Sequence, residues 1–317
     1  MYLITNKNSR SSNLQSRVHT SENATEAEAV SNESRAHFNL FLKPSILERR
    51  SRDKTLALKA IESALGIRTI GAQAEYLDLV INKMFKAPAT VNISPSKILD
   101  MNSSELKNVW HLGARGDSDF KWSSAEKLQR NAIENAFFQY YKSANSNFRK
   151  HARISNNPAK SEGGFHPGSR PIYAALHALQ EDLVGGAPEY GAAAFYLRDH
   201  IKEYATITGR DSYLIVKEWV DEDRDFYQLA PRGLGVFDSS GVDRSNLYPA
   251  IASANKDQLL LLSGMGKFDD PVDFIELQLH GRLAISRDVS HVAMQKRPPA
   301  KVKKDIKEKL YNLFEIH

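Results

Sequence analysis

The sequence contains no cysteine, and this absence removes several kinds of chemistry. Such a chain forms no disulfide and no thiolate metal site, and it has no cysteine nucleophile. It also lacks an apolar run near the roughly 20 residues that cross a bilayer, and its N-terminus has no apolar signal core. These absences predict a soluble protein without a membrane span, in which any catalysis depends on other side chains.

Several motifs of known mechanism are missing as well. The chain has no GxxxxGK[ST] phosphate loop, no GxGxxG after a strand, no HExxH and no GxSxG. Nucleoside triphosphatases, oxidoreductases of the Rossmann type, zinc proteases and α/β-hydrolases are therefore disfavoured. No group of residues has the spacing of metal ligands, so we predict no metal site.

Positive charge is only in mild excess. The formal net charge is +5, and the basic residues are spread along the chain apart from "QKRPPAKVKKDIKEK" at 295–309. A solvated basic surface explains this pattern, with phosphate binding as the alternative. Nucleic acid is not an expected partner.

The first 35 of the 317 residues are rich in Ser, Asn and Thr and poor in large apolar side chains. Such a segment buries too little apolar surface to offset the entropy of ordering, so residues 1–35 are predicted to be a flexible tail. The composition resembles the N-terminal export signals of bacterial type III secreted effectors. That resemblance implies a secretion chaperone as a partner of the N-terminus.

Residues 36–150 are predicted to form a mainly helical region. Apolar residues recur at helical spacing in "RDKTLALKAIESALG" at 52–66 and in "AEYLDLVINKMF" at 74–85. Ser123 and Glu126 form a capping box that opens a third helix, expected to run to about Ser143.

Residues 151–317 are predicted to form a mixed α/β region. A loop rich in Gly, Pro and Ser precedes Pro171, which suits the first turn of a helix over 171–183. Strands are expected at "AAAFYL", "YATIT", "YLIV", "GLGVF" and "VDFIELQLHG", before a basic amphipathic helix near 301–315. The fold class expected from the whole chain is α+β, with a helical N-terminal region and a strand-rich C-terminal half.

The stretch "FIELQLHG" at 274–281 is the strongest candidate site. Successive side chains of a strand point to opposite faces, so Glu276, Gln278 and His280 share one face while three apolar residues share the other. The apolar face predicts a central strand, and Gly281 allows another group to approach. The alternative is the exposed face of an ordinary antiparallel strand.

Two further stretches could bind an anion. Arg170 and Tyr173, in "RPIY", stand where a glycine-containing loop enters the predicted helix, and a helix N-terminus beside a guanidinium suits phosphate. His111 and Arg115, in "NVWHLGARGD", lie in a glycine-flanked turn that could hold a ribose or a diphosphate. An ordinary helix start and an ordinary loop are the alternatives.

A third stretch, "APEYGAAAFYL", places Tyr190 and Gly191 before a strand of small residues. Small residues let a flat ring lie close to the backbone, although packing of the core explains the same pattern. In "TGRDSY", Asp211 is accounted for by turn geometry alone.

Three of these stretches, "RPIYAALH", "GAPEYGAAAFYL" and "FIELQLHGRLAISRDV", together resemble a bacterial family catalogued as a domain of unknown function. Its motifs have the forms R-P-x-Y-x-A-L, P-x-[FY]-G-S and E-x-Q-x-H-G followed by R-D-V. The resemblance covers roughly residues 110–295, and Ala192 stands where the second motif has Ser. The layout also resembles the ADP-ribosyltransferase superfamily, which implies an ADP-ribosyltransferase-like split sheet in the C-terminal half.

The resemblance implies roles for the candidate residues. Glu276 would be the catalytic glutamate, and either Arg170 or Arg115 with His111 would anchor NAD. Tyr190, beside Gly191, or else Tyr173 would be the aromatic residue against nicotinamide. These roles make NAD a co-substrate rather than a redox cofactor.

The chain departs from arginine-modifying members of the superfamily at two places. Gln278 stands where their second glutamate is catalytic, and Ala192–Ala194 replace a Ser-Thr-Ser run, so another acceptor is expected. Gln278 would orient the incoming nucleophile. His280 would take its proton or bind a phosphate, because imidazole titrates near neutral pH.

The function predicted from the resemblance is a mono-ADP-ribosyltransferase, secreted into the host cytoplasm as a bacterial effector. Its partner would be a host protein, such as ubiquitin or another signalling protein. Two alternatives remain open: an NAD glycohydrolase or other hydrolase that uses Glu276, and an effector or binding module on the same fold without enzymatic activity.

Overall fold

The computed structural model describes residues 2–5, 22–101, 103–112, 123–152, 166–180, 182–221, 225–266, 273–295 and 300–315. The strands are β1 Tyr2–Thr5, β2 Ala89–Ile93, β3 Glu105–Leu106, β4 Ile172–Leu176, β5 Ala193–Leu197, β6 Ala205–Thr208, β7 Gly235–Val236, β8 Ile275–Leu279, β9 Leu283–Ala284 and β10 Val289–Met294.

Helices precede, separate and follow these strands. They are α1 Glu22–His37, α2 Lys43–Leu47, α3 Arg50–Leu65, α4 Ile70–Lys86, α5 Pro95–Asp100, α6 Val109–Leu112, α7 Ser124–Phe138, α8 Ser146–His151, α9 Ser212–Asp221, α10 Phe226–Leu229, α11 Tyr248–Ser253, α12 Lys256–Leu262, α13 Ile285–Asp288 and α14 Ala300–Glu315. A π-helix, Phe38–Leu42, joins α1 to α2.

Within the described part of the chain, eight strands form one antiparallel sheet in the order β1-β10-β5-β2-β4-β8-β6-β7. Strands β3 and β9 form a separate pair. Strand β8 lies between β4 and β6, so the predicted central position of "FIELQLHG" is confirmed. The α+β class is confirmed too, because helices from the N-terminal part of the chain accompany this sheet.

The two faces of the sheet differ. Ile275, Leu277 and Leu279 of β8 belong to the main core, which residues of α3, α4, α11, α12 and α14 complete. On the other face a second apolar cluster includes Phe38 of the π-helix and Phe138 of α7. The polar side chains of β8 lie on this second face.

Several local predictions are confirmed because short-range chemistry determines them. Helix α3 ends at Gly66, whose φ of 71° suits glycine, and α4 covers the second periodic stretch. Ser123 and Glu126 form both hydrogen bonds of the capping box. Strands β5, β6 and β8 and helix α14 also lie where they are expected.

Two predicted elements are wrong. The helix expected over 171–183 is strand β4, whose backbone is hydrogen-bonded to β2 and β8 on its two sides. A run such as "IYAAL" fits both structures, and these neighbours decide the outcome. The strand expected at "YLIV" lies in α9, where Asp211 Oδ1 accepts the N–H of Tyr213 as a helix cap.

The tail predicted over 1–35 is wrong where the structure describes it. Residues 2–5 form the edge strand β1, paired with β10, and α1 begins at Glu22. Strand β2, from the region predicted to be mainly helical, joins the sheet of the C-terminal half. The boundaries 36–150 and 151–317 themselves stay predictions. No helix within the described ranges is long and apolar enough to cross a membrane.

Candidate functional site

Glu276 lies on the polar face of β8, between residues of the two adjacent strands, β4 and β6. The strand register places it opposite Thr208 of β6 and opposite Ala175 of β4. The next pair along β8 sets Gln278 against Thr206 and Tyr173. The alternation predicted from the sequence therefore brings hydroxyl, amide and carboxyl groups together on one surface.

The two oxygens of the Glu276 carboxyl have different surroundings. Gln278 Nε2 donates to Oε1 at 2.6 Å, and the N–H of Ser212, at the start of α9, approaches the same oxygen at 3.4 Å. Among the described residues no donor reaches Oε2. The residue is 4% exposed and Oε2 keeps contact with solvent, so protein donors satisfy only one of the two carboxyl oxygens.

Burial, together with the charge of the nearby Asp211, raises the pKa of Glu276 to about 8. The hydrogen bonds from Ser212 and Gln278 and the charge of Arg130 oppose this rise but do not cancel it. The carboxyl is therefore mostly protonated at neutral pH, and a cation placed beside it would favour its ionised form.

Gln278 is fixed by hydrogen bonds within the sheet. Its Nε2 donates to Thr208 Oγ1 at 3.0 Å as well as to Glu276, and its Oε1 accepts from Thr206 Oγ1 at 2.8 Å. Both N–H groups and the oxygen of the amide are engaged. In this structure Gln278 holds Glu276 in place, which differs from the expected contact with an incoming nucleophile.

His280 is buried in an aromatic environment, and the expectation that it titrates near neutral pH is wrong. Its ring stacks on Phe38 with the centroids 4.9 Å apart and meets the edge of Phe138. Burial, together with the neighbouring His37, lowers its pKa to about 3. Nε2 donates to Thr206 Oγ1 at 3.2 Å, because the Thr206 proton is used on Gln278. His280 is thus a neutral, structural residue.

Arg170 is also buried, with its side chain 0% exposed, and it precedes a strand rather than a helix. Its Nη1 donates to Glu134 Oε2 at 2.9 Å, and its Nη2 donates to Asn131 Oδ1 and to the carbonyl of Ala152. The prediction that Arg170 binds a diphosphate at a helix N-terminus is wrong for this reason. The guanidinium is enclosed by protein groups instead.

Two residues of α7 that the sequence reasoning missed complete the site. Glu134 accepts the Tyr173 hydroxyl at 2.8 Å and Arg130 Nε at 3.1 Å. The guanidinium of Arg130 lies over the Tyr173 ring, 4.2 Å from its centre, and its charge acts on Glu276. One feature of the sequence could have identified these two residues: an arginine and a glutamate stand four residues apart, with Glu134 on the apolar side of the helix.

The loop between β4 and β5 covers the start of β8. Tyr190, 40% exposed, packs edge-on against Phe274, two residues before Glu276. Gly191 has a φ of 148°, and a Cβ there would collide with the backbone of Ile93, so only glycine fits. Burial raises the pKa of Glu189 in this loop, and Asp273 and Asp211 raise it further. An aromatic side chain and a carboxyl group thus lie in the loop beside the start of β8.

The side chains of two other predicted residues lie outside what the structure describes. The backbone of His111 lies in α6, and Arg115 lies outside the described residues. The described ranges contain no cluster of His, Asp or Glu that could hold a metal ion. The structure therefore brings together Glu276, Gln278, Tyr173 and the Tyr190–Gly191 loop, and it adds Arg130 and Glu134.

No protein-family model matches the chain, and no curated protein matches it in sequence. The resemblance to ADP-ribosyltransferases therefore stays a prediction. The class of site rests on its own geometry: a buried carboxyl with one oxygen held and the other without a donor, on a central strand beside an arginine and a tyrosine.

Proposed function

We propose that the protein is a mono-ADP-ribosyltransferase that transfers ADP-ribose from NAD, its co-substrate, to a side chain of another protein. The observation that carries this proposal is the half-satisfied carboxyl of Glu276. Its Oε1 is held by Gln278, and no described donor reaches Oε2. A substrate hydroxyl can complete the carboxyl's hydrogen bonds.

The chemistry requires such a group. Breaking the bond between nicotinamide and ribose sends its electron pair to the nicotinamide nitrogen and leaves an oxocarbenium-like ribose. A carboxylate beside the ribose accepts a hydrogen bond from a ribose hydroxyl and stabilises this positive charge. The acceptor side chain then bonds to the ribose carbon and loses its proton to a base or to water.

The raised pKa of Glu276 fits a cationic substrate. The nicotinamide ring of NAD carries a positive charge, and an adjacent cation favours the carboxylate over the neutral acid. Binding of NAD would therefore lower the pKa of Glu276 from about 8 and release a proton. The Glu276 carboxyl would therefore become negatively charged next to the positively charged nicotinamide ring.

Arg130 takes the role that the sequence assigned to Arg170. Its side chain is 17% exposed, whereas that of Arg170 is enclosed. A guanidinium suits the diphosphate of NAD because it presents several donors in one plane. Tyr190 is the better candidate for the aromatic residue against nicotinamide, since its side chain is 40% exposed and Arg130 already covers the ring of Tyr173.

The wider setting is part of the same proposal. A bacterial effector of this kind would be exported, with a chaperone at its N-terminus, and would modify a host protein such as ubiquitin or another signalling protein in the host cytoplasm. The supports are the composition of residues 1–35 and the resemblance of the three motifs.

The test is incubation of the full chain with radiolabelled NAD and host-cell lysate. The wild type and Glu308→Ala are expected to label a protein, whereas Glu276→Ala is expected to lose at least a hundredfold in rate. Glu308 is the matched control because its carboxyl lies on the surface of α14. Release of free ADP-ribose without labelled protein would replace the transferase by an NAD glycohydrolase. No turnover and no change of melting temperature with NAD would refute both enzymes.

A further inference from the structure

Glu134 is the most highly coordinated carboxylate near the site. It is 0% exposed, yet four side chains donate to it. They are Trp110 Nε1 at 2.9 and 3.0 Å, Arg130 Nε at 3.1 Å, Arg170 Nη1 at 2.9 Å and the Tyr173 hydroxyl at 2.8 Å. Two of these donors face away from Glu276 and two lie beside it.

Each donor to Glu134 has a distinct place in the fold. Trp110 comes from α6, Arg170 from the residues before β4, and Arg130 from one turn earlier in α7. Tyr173 belongs to β4, where it is paired with Gln278 of β8. A single carboxylate thus joins two helices to the strand next to Glu276.

The contacts on the side of Glu276 fix two groups of the candidate site. The Tyr173 hydroxyl proton points to Glu134, so the phenol cannot donate toward Glu276 at the same time. Arg130 is held between Glu134 and the Tyr173 ring, 4.2 Å from the ring centre. This position keeps a positive charge near Glu276 in a place of low dielectric, where charge interactions are strong.

We propose that Glu134 is a positioning residue, whose carboxylate fixes the Arg130 guanidinium and the Tyr173 hydroxyl beside Glu276. It acts on Glu276 through Arg130. The inference rests on the proposed function only for the substrate of Glu276. The contacts of Glu134 with Arg130 and Tyr173 exist without a substrate.

A Glu134→Gln substitution disturbs this arrangement in a defined way. An amide has one acceptor oxygen, so its NH₂ group must face either Trp110 and Arg170 or Tyr173 and Arg130. The fully buried Arg170 retains the oxygen, because leaving its charge without a partner costs most. Tyr173 can rotate its hydroxyl to accept from the NH₂, whereas Arg130 cannot accept and loses its hydrogen bond to residue 134.

The test is a double-mutant cycle on the ionisation of Glu276 in the full chain without NAD. Carbon-13 NMR of labelled glutamate carboxyls, with Glu276 assigned by loss of its signal in Glu276→Gln, gives its titration. Glu134→Gln and Arg130→Met are each expected to lower the ionisation constant of Glu276 about tenfold, because the second removes the cation and the first no longer fixes it beside Glu276. The double variant is expected to change the ionisation constant of Glu276 no more than either single variant does.

Two results would overturn the proposal: an unchanged titration of Glu276 in Glu134→Gln, or an effect of Arg130→Met that is equally large in both backgrounds. If Glu134→Gln does not fold, Glu134→Asp replaces it in the cycle. That variant keeps the charge and withdraws the carboxylate from Arg130, so a smaller change in the same direction is expected. Because NAD is absent, failure of the labelling assay leaves this result intact, and the reverse also holds.

Discussion

Two buried glutamates of this protein, Glu134 and Glu276, differ in how completely their hydrogen bonds are satisfied. Glu134 accepts from four side chains, two of them arginines. Glu276 accepts from one amide at 2.6 Å and from one more distant N–H, both at the same oxygen. Both carboxyls lie within reach of Arg130, which donates to the first and only acts by its charge on the second.

The difference separates a carboxylate that the fold satisfies fully from a carboxyl with one oxygen that no described donor reaches. A carboxylate surrounded by donors stabilises the fold and is costly to remove. A buried carboxyl with few donors has a raised pKa, and it can accept a further hydrogen bond from a ligand. Burial alone, which the two share, does not distinguish them.

Glu134→Ala is expected to reduce the free energy of unfolding by about 3–5 kcal/mol, because it leaves the buried Arg170 without its counter-ion. Urea denaturation followed by circular dichroism measures the change. Glu105→Ala is the matched control, since its carboxyl pairs with Arg282 near the surface and its loss is expected to cost at most about 1 kcal/mol. Equal losses in the two variants would remove the contrast.

Glu276→Gln is expected to be more stable than the wild type, and the difference in unfolding free energy is expected to grow as pH rises. The folded pKa of Glu276, about 8, exceeds the unfolded value of about 4.3, so the contribution of Glu276 to stability is fully present below about pH 4 and is lost as pH rises to 8. The variant does not undergo this loss, and the difference in unfolding free energy from the wild type is expected to reach on the order of 5 kcal/mol at pH 8.

The same denaturation series, run from pH 4 to 9, measures this gap. Glu308→Gln, at an exposed carboxyl, is expected to follow the wild type throughout. A gap between Glu276→Gln and the wild type that stays constant with pH would mean that Glu276 ionises normally in the fold.

His280→Phe is expected to make the protein less sensitive to acid. The folded pKa of His280, about 3, lies below the unfolded value of about 6.5, so its contribution is fully present above pH 6.5 and declines as pH falls. Between pH 6.5 and 5 the wild type is expected to lose about 2 kcal/mol more than the variant. Melting temperatures across this range provide the measurement, with the partly exposed His200→Phe as control. Parallel curves for wild type and His280→Phe would disprove the buried, neutral state.

Tyr173→Phe is expected to have the smallest effect, a loss of about 1 kcal/mol in unfolding free energy. Glu134 keeps its other three donors and the ring stays beneath Arg130. Urea midpoints compare it with Tyr141→Phe, whose side chain is half exposed and whose change is expected to be near zero. A loss as large as that of Glu134→Ala would show that the donors act as one unit rather than separately.

The sequence predicted the local part of this site and missed the rest. The period of two in "IELQL" was enough to place Glu276 and Gln278 on one face, because pleating depends only on neighbouring residues. The capping box of α7 was predictable for the same reason. Neither pattern reveals what stands opposite a side chain.

The missed part depends on contacts between residues distant in the chain. Glu134 meets Trp110, Arg170 and Tyr173 across 24, 36 and 39 positions of sequence. Arg170 was predicted at a helix N-terminus because residues 171–183 were wrongly predicted to form a helix. Strand β4 owes its conformation to β2 and β8, which no local pattern indicates.

The central claim is that Glu276 is a ligand-facing carboxyl that NAD drives to ionise. Carbon-13 NMR titration of the Glu276 carboxyl, with and without NAD, tests it most directly. The account predicts a midpoint near pH 8 in the free protein and a clearly lower midpoint with NAD bound. A midpoint near that of an ordinary glutamate, about 4.3, and unaffected by NAD would contradict it.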